Sequence, residues 1–222
     1  RPQHSSTERE AFIAALNGVL GDHLAETSNP LALPMSLRPR PIEGEAGEAP
    51  AVTGRLLVLV HGLCMNDRQW LRGGHDHGAA LARDLGFTPL YLHYNSGLHI
   101  STNGRAFADL LETTLAAWPQ PVEELVIVGH SMGGLVARSA AHVASGAGHR
   151  WLRHLRALVF LGTPHHGSPL ERGGNWIDLT LGAAPYVAPF ARLGRMRSAG
   201  ITDLRYGFLS DADWAEGDRF AR

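Results

Sequence analysis

Leu125-Val126-Ile127-Val128-Gly129-His130-Ser131-Met132-Gly133-Gly134 is an apolar run that breaks into a serine flanked by glycines. The run suits a strand buried on both faces of a parallel sheet. From Gly134 to about Ser145 the sequence reads as a helix. A G-x-S-x-G pentad by itself carries little weight. Between a buried strand and a helix it specifies a sharp, strained turn with the serine at its apex. The two backbones crowd at such a turn, so small residues are required two positions to either side, and Gly129 and Gly133 meet that need. Gly134 adds room. The hydroxyl is then aimed above the sheet edge at a helix N-terminus, where the dipole favours developing negative charge. Ser131 is therefore the candidate nucleophile. His130 is read as a packed or solvent-touching residue rather than as a base.

The same alternation extends outward. Leu56-Leu57-Val58-Leu59-Val60 is a second buried strand, ending at His61-Gly62. A helix is expected from about Gly78 to Leu85. A strand is expected from Thr88 to Tyr94, closed by the turn signal Asn95-Ser96-Gly97. A helix capped by Thr102 or Asn103 follows and stops at Pro119. Ala157 to Leu161 is a fourth strand, closed by Gly162-Thr163-Pro164. Strands alternating with helices predict an α/β fold, a parallel sheet flanked by helices on both faces and joined by right-handed crossovers. At the N-terminus, residues 1–28 predict an amphipathic helix packed on the domain surface. A capping box at Thr7-Glu8-Arg9-Glu10 opens it, and Phe12, Ile13, Leu16, Val19, Leu20 and Leu24 form its apolar stripe. Gly18 and Gly21 weaken that helix. Residues 29–54, with five prolines, read as a linker or irregular arm. Residues 55–222 form the α/β core, with a possible lid at 168–220.

A serine that attacks a carbonyl needs donors for the oxyanion it creates. Two backbone N–H groups serve, one from the residue after the nucleophile and one from the loop after the first core strand. They fall on Met132 and Leu63.

His61-Gly62, Gly129 to Gly134 and Gly162-Thr163-Pro164-His165-His166-Gly167-Ser168 together resemble lipase- and esterase-like α/β-hydrolases, in particular the group similar to the GPI inositol-deacylase (PGAP1-like) proteins. Tyr94-Asn95-Ser96-Gly97 and Leu135-Val136-Ala137-Arg138 fit the same group. The resemblance covers about residues 55 to 215. It implies hydrolysis of carboxylic esters, of small molecules or lipids, with no cofactor. It also makes His61, His165 and His166 residues that shape the substrate pocket.

The acid and base are harder to place. In this fold they follow the serine in the order Asp or Glu, then His. No Asp or Glu lies between Ser131 and His166, and no histidine follows His166. One expectation is that the core is missing its last strands and the acid and base with them. A second is a rearranged triad that pairs His165 or His166 with Asp178, Asp203 or Asp211. A third is an inactive relative serving as a binding scaffold. An amidase or thioesterase on the same fold is a further alternative.

Composition excludes other classes. With 20 basic against 21 acidic residues and no basic run, nothing favours a nucleic-acid partner. No apolar stretch approaches the length of an integral membrane segment. The single cysteine, Cys64, allows no internal disulfide, and no secretory signal opens the chain, which together favour a cytoplasmic location. Cys64 is expected to be a buried apolar thiol. His75-Asp76-His77 lacks the ligand number of a zinc site, so no metal is expected. Arg138 is expected to make a structural pair. The sequence leaves the oligomeric state open.

Overall fold

Strand β2 (Arg55–Val60) lies at the centre of the sheet and shows why the fold holds together. Leu56, Val58 and Val60 point into one core cluster, and Leu57 and Leu59 into another on the opposite face. Burial on both faces is what its unbroken apolar sequence requires. The computed structural model describes residues 2–39, 52–167 and 198–215. In chain order the regular elements are α1 (Pro2–Glu26), β1 (Ser36–Pro39), β2, β3 (Leu71–Arg72), β4 (His75–Asp76), α2 (His77–Leu85), β5 (Thr88–His93), α3 (Ile100–Ala116), β6 (Glu124–His130), α4 (Met132–Ala147), β7 (Leu155–Leu161), α5 (Ala199–Tyr206) and α6 (Asp211–Ala215). Short 3-10 turns cover Asp67–Trp70 and Arg150–His154.

The main sheet has the order β1-β5-β2-β6-β7. β5, β2, β6 and β7 are mutually parallel, and β1 joins the edge antiparallel to β5. The four expected core strands are thus all present and parallel. Because they are parallel, the loops after β2, β5, β6 and β7 all emerge at one edge of the sheet, where sites in such sheets form.

β1 was not expected. It lies in the stretch read as a linker or irregular arm. An edge strand uses only one side of its backbone for pairing, so Pro39 can end it without breaking a ladder. Residues 40–51 lie outside the described residues.

One face of the sheet is well covered. Phe107, Ala108 and Leu111 of α3, Leu135, Val136, Ala140 and Ala144 of α4, and Ile201 and Leu204 of α5 are all buried there. Among the described residues, α2 is the only helix packed on the other face. It leaves an apolar groove of about 690 Å³ along β2, β6 and β7. Among the described residues the expected helices lie on both faces, α3, α4 and α5 on one and α2 on the other.

α1 docks through part of its predicted stripe, Val19, Leu20 and Leu24, and through small residues outside it. It runs from Pro2, so Thr7 to Glu10 lie inside the helix rather than capping it. Its docked face carries Ala14, Ala15, Asn17, Val19 and Leu24, while Phe12 is 41% exposed. Gly18 and Gly21, which weaken the helix in isolation, are where it comes closest to the core. A Cβ on Gly18 would overlap Cys64, and one on Gly21 would overlap the Asn95 side chain. Close approach is the reason these helix positions are glycine.

The proposed lid falls mostly on residues 168–197 and 216–222, outside the described residues. The part at 198–215 is packed structure. Ala199, Ile201 and Leu204 are buried, and the Asp203 carboxylate accepts from the N–H of Ile100 at 2.7 Å, at the first turn of α3.

Candidate active site

Ser131 follows the last residue of β6 and precedes the first of α4, with φ 51° and ψ −122°. A positive φ is unusual for a residue with a side chain and marks stored strain. Hydrogen bonds on both sides hold it. The Ser131 N–H donates to Leu161 O at 2.8 Å, carrying the β6–β7 ladder into the turn, and the Gly134 N–H donates to Ser131 O at 3.1 Å. The glycines are sterically required. A Cβ on Gly129 would lie 2.6 Å from Gly134 N, and one on Gly133 would overlap the carbonyl oxygens of Val60 and His61.

The hydroxyl is left over. Serine at a helix N-cap ordinarily accepts from the N–H two or three residues on. Here Ser131 makes no such cap, and among the described residues its Oγ has no hydrogen-bond partner. The side chain is 8% exposed. The strained backbone thus spends a good capping residue without capping.

The turn after β2 comes up against this serine. A Cβ on Gly62 would lie 3.2 Å from Ser131 Cβ, 3.2 Å from His130 Nδ1 and 3.3 Å from Met65 Sδ. The Leu63 N–H makes no hydrogen bond among the described residues. Met132 is the first residue of α4, so its N–H has no acceptor within the helix. The residues after Gly62 and after Ser131 thus each carry a backbone N–H with no hydrogen-bond acceptor among the described residues.

Cys64, next to Leu63, also has a positive φ, 59°. Its N–H donates to Ser96 Oγ at 3.1 Å. Burial pushes its thiol up to about 12, which removes it as a competing nucleophile. The segment Tyr94-Asn95-Ser96-Gly97 proves to be the platform under this turn. The Tyr94 hydroxyl donates to His61 O at 2.7 Å, and its ring stacks on the His61 imidazole with centroids 4.3 Å apart. Burial holds the Tyr94 hydroxyl above its ordinary value.

His61 lies in the interior and does not face substrate. It is 1% exposed, its Nδ1 lies 2.9 Å from Gly62 O, and its Nε2 has no partner among the described residues. Burial lowers its pKa to about 4, so it is neutral near pH 7. His165 is half-buried after β7. Arg138 donates to its Nδ1 at 2.9 Å, and its ring stands edge-on to Phe160. Partial burial and then the Arg138 charge hold its pKa below the ordinary value. Arg138 is thus the structural partner it was expected to be. His166 is exposed. Among the described residues neither histidine makes a hydrogen bond to Ser131.

Two of the three carboxylates of the rearranged triad, Asp203 and Asp211, are engaged elsewhere. Asp203 is fully buried and holds His99 Nδ1 at 3.0 Å, Asp211 pairs with Arg105, and Asp178 lies outside the described residues. A second buried pair, His93 Nδ1 to Asp67 Oδ1 at 2.9 Å, had no sequence signal, because its partners meet only when β5 and the turn at Asp67 pack. His75-Asp76-His77 forms β4 and the start of α2, where Asp76 caps the helix by accepting from Ala79 N–H at 3.0 Å. Among the described residues no cluster of metal-ligating side chains occurs, and no helix is long and apolar enough to cross a membrane.

Residues 51–214 match the family described as the PGAP1-like alpha/beta domain. No curated protein matches the chain. Among solved structures, the mature form of the Bacillus licheniformis lipase BlEst2 is 20% identical, with a TM-score of 0.51 over 84% of this chain and 67% of that one. The propeptide form of the same lipase is 22% identical, with a TM-score of 0.51 over 79% of this chain and 34% of that one. Both likenesses concern the fold.

Proposed function

The chain belongs to the family of PGAP1-like alpha/beta domains, an esterase- and lipase-like α/β-hydrolase fold, and from that premise we propose that it cleaves carboxylic esters through an acyl-enzyme on Ser131. The observation that carries this reading is the strained serine between β6 and α4 with an uncommitted hydroxyl, and the uncommitted N–H groups of Leu63 and Met132 support it. Ser131 Oγ adds to the ester carbonyl and its proton passes to a base. The N–H groups of Leu63 and Met132 hold the oxyanion, each contributing about 2.7–4 kcal/mol to lowering the barrier. Collapse expels the alkoxide, which takes up the proton. Water then repeats the sequence on the acyl-enzyme and frees the acid. The base role is assigned to none of the described histidines. The substrate is a small-molecule or lipid ester.

That same lack of a base contact favours one second reading, an inactive hydrolase scaffold. The test is hydrolysis of matched p-nitrophenyl ester, thioester and anilide substrates by the intact protein and by Ser131→Ala. Ester turnover that falls by about 10⁴-fold or more in the variant supports the proposal. A rate unchanged by the substitution overturns it, and no turnover of any substrate supports the scaffold. A preference for the thioester or anilide assigns a different bond to the same serine.

A further inference from the structure

The turn that carries Leu63 is closed by one long backbone hydrogen bond, from the Met65 N–H to Gly62 O at 3.4 Å. Cys64 adopts φ 59° without being glycine, and the Leu63 N–H beside it has no acceptor to fix it. Contacts from outside the turn add to that single bond in holding this conformation. The elements that touch it are the Ser96 hydroxyl, which takes the Cys64 N–H, and helix α1, which lies directly on it.

α1 crosses the whole turn. At one end Gly18 seats on Cys64 so closely that an added Cβ would overlap Sγ and lie 2.8 Å from Cys64 Cα. At the other end Glu10 pairs with Arg68 at 2.6 Å, and Arg68 also donates to Thr7 Oγ1 at 3.4 Å. The helix is in turn fastened from behind. Asn95 Nδ2 donates to Gly21 O at 2.9 Å. Ser198 Oγ donates to Gly18 O at 2.6 Å, and Asp22 Oδ2 accepts the Ala199 N–H at 2.8 Å. Asn17 donates to Leu31 O at 2.8 Å and accepts from Leu33 N–H at 2.9 Å, tying the chain after the helix to it. Loop 95–98, α5 and residues 31–33 thus converge on the small-residue face that presses on Cys64.

We propose that α1 is a positioning element of the active site: through Gly18 it clamps Cys64 and so holds the Leu63 N–H ready beside Ser131. The proposal rests on the ester-hydrolase reading for its consequence in catalysis, but not for the clamp itself. A loosened clamp leaves substrate binding intact and weakens only the oxyanion contact, which exists in the transition state. The loss therefore falls on kcat and leaves KM unchanged.

The test uses Gly18→Leu and the milder Gly18→Ala, with Ala25→Leu on the exposed face of α1 as a control. Cys64 is the only cysteine, so the rate of thiol labelling by a disulfide reagent reports on the clamp without any catalysis. Gly18→Leu is expected to speed labelling by about tenfold or more, with Gly18→Ala between it and wild type. Over the same series kcat for a p-nitrophenyl ester falls by up to about 10²-fold, at constant KM. Ala25→Leu matches wild type in both measurements. Faster labelling with unchanged kcat overturns the proposal, since α1 would then cover the turn without positioning it. If wild type turns over no ester, the hydrolase reading fails, and amide relaxation of residues 62–66 judges the clamp alone. Loss of order there with β6 unchanged supports it, and uniform loosening of the whole chain overturns it. Should Gly18→Leu fail to fold, Gly18→Ala provides the same comparisons.

Discussion

Two strained turns meet at the sheet edge, and they are held in opposite ways. Ser131 (φ 51°) and Cys64 (φ 59°) end neighbouring parallel strands, β6 and β2. The Ser131 turn is supported from within its own segment, by Gly129, Gly133 and Gly134 and by the ladder to Leu161. The Cys64 turn has only one long local hydrogen bond, Met65 N–H to Gly62 O at 3.4 Å, and is braced from outside by α1 and by Ser96. Strain held locally leaves a sequence motif. Strain held by distant elements leaves none.

The largest expected effect breaks the contact between the two turns. Gly133→Val places a branched side chain against the carbonyl oxygens of Val60 and His61, and a backbone cannot rotate away. It should cost at least about 3 kcal/mol in denaturant unfolding and abolish any turnover at Ser131. A well-folded, active Gly133→Val would mean that the elbow is not packed on the end of β2 as described.

A second effect attacks the β2 side alone. His61 is buried and neutral, with a folded pKa of about 4. The unfolded chain, near 6.5, takes up this proton first as the pH falls. The stability contribution is therefore complete above pH 6.5 and is lost on descent toward pH 4, by about 3 kcal/mol. His61→Phe should flatten the profile of urea midpoint against pH over that window. An unchanged slope would remove His61 as the group responsible.

The smallest effect sharpens the contrast. Ser131→Gly should be more stable than Ser131→Ala by about 1 kcal/mol, because glycine accepts φ 51° without strain. Cys64→Gly should gain nothing beyond about 0.5 kcal/mol, because the relief is offset by loss of the buried thiol seated under Gly18. Equal gains at both positions, measured by thermal or urea unfolding, would mean that the two turns are held alike.

How far the sequence could be read follows the same division. The four parallel strands and the turn at Ser131 were legible because unbroken apolar runs and flanking glycines are local requirements. β1 escaped notice because an edge strand tolerates Pro39 and needs no apolar run. The docked face of α1 was legible at Val19, Leu20 and Leu24 but not at Ala14, Ala15 and Gly18, which bind through close approach that apolar periodicity does not register, and Phe12 of the stripe is exposed. The burial of His61 against the Tyr94 ring had no signal in the sequence, because the two residues end different strands. The pairs His93–Asp67 and His99–Asp203 join positions 26 and 104 residues apart, which periodicity cannot connect.

The central claim is that Ser131 is the nucleophile, and its most direct test is the site of phosphonylation. The intact protein is treated with a fluorophosphonate, digested and mapped by mass spectrometry, with and without a competing p-nitrophenyl ester. A single adduct on the peptide containing Ser131, formed in parallel with loss of ester turnover and slowed by the competing ester, is the predicted result. Ester turnover that survives in the reagent, or that is lost with the adduct on another residue, would contradict it.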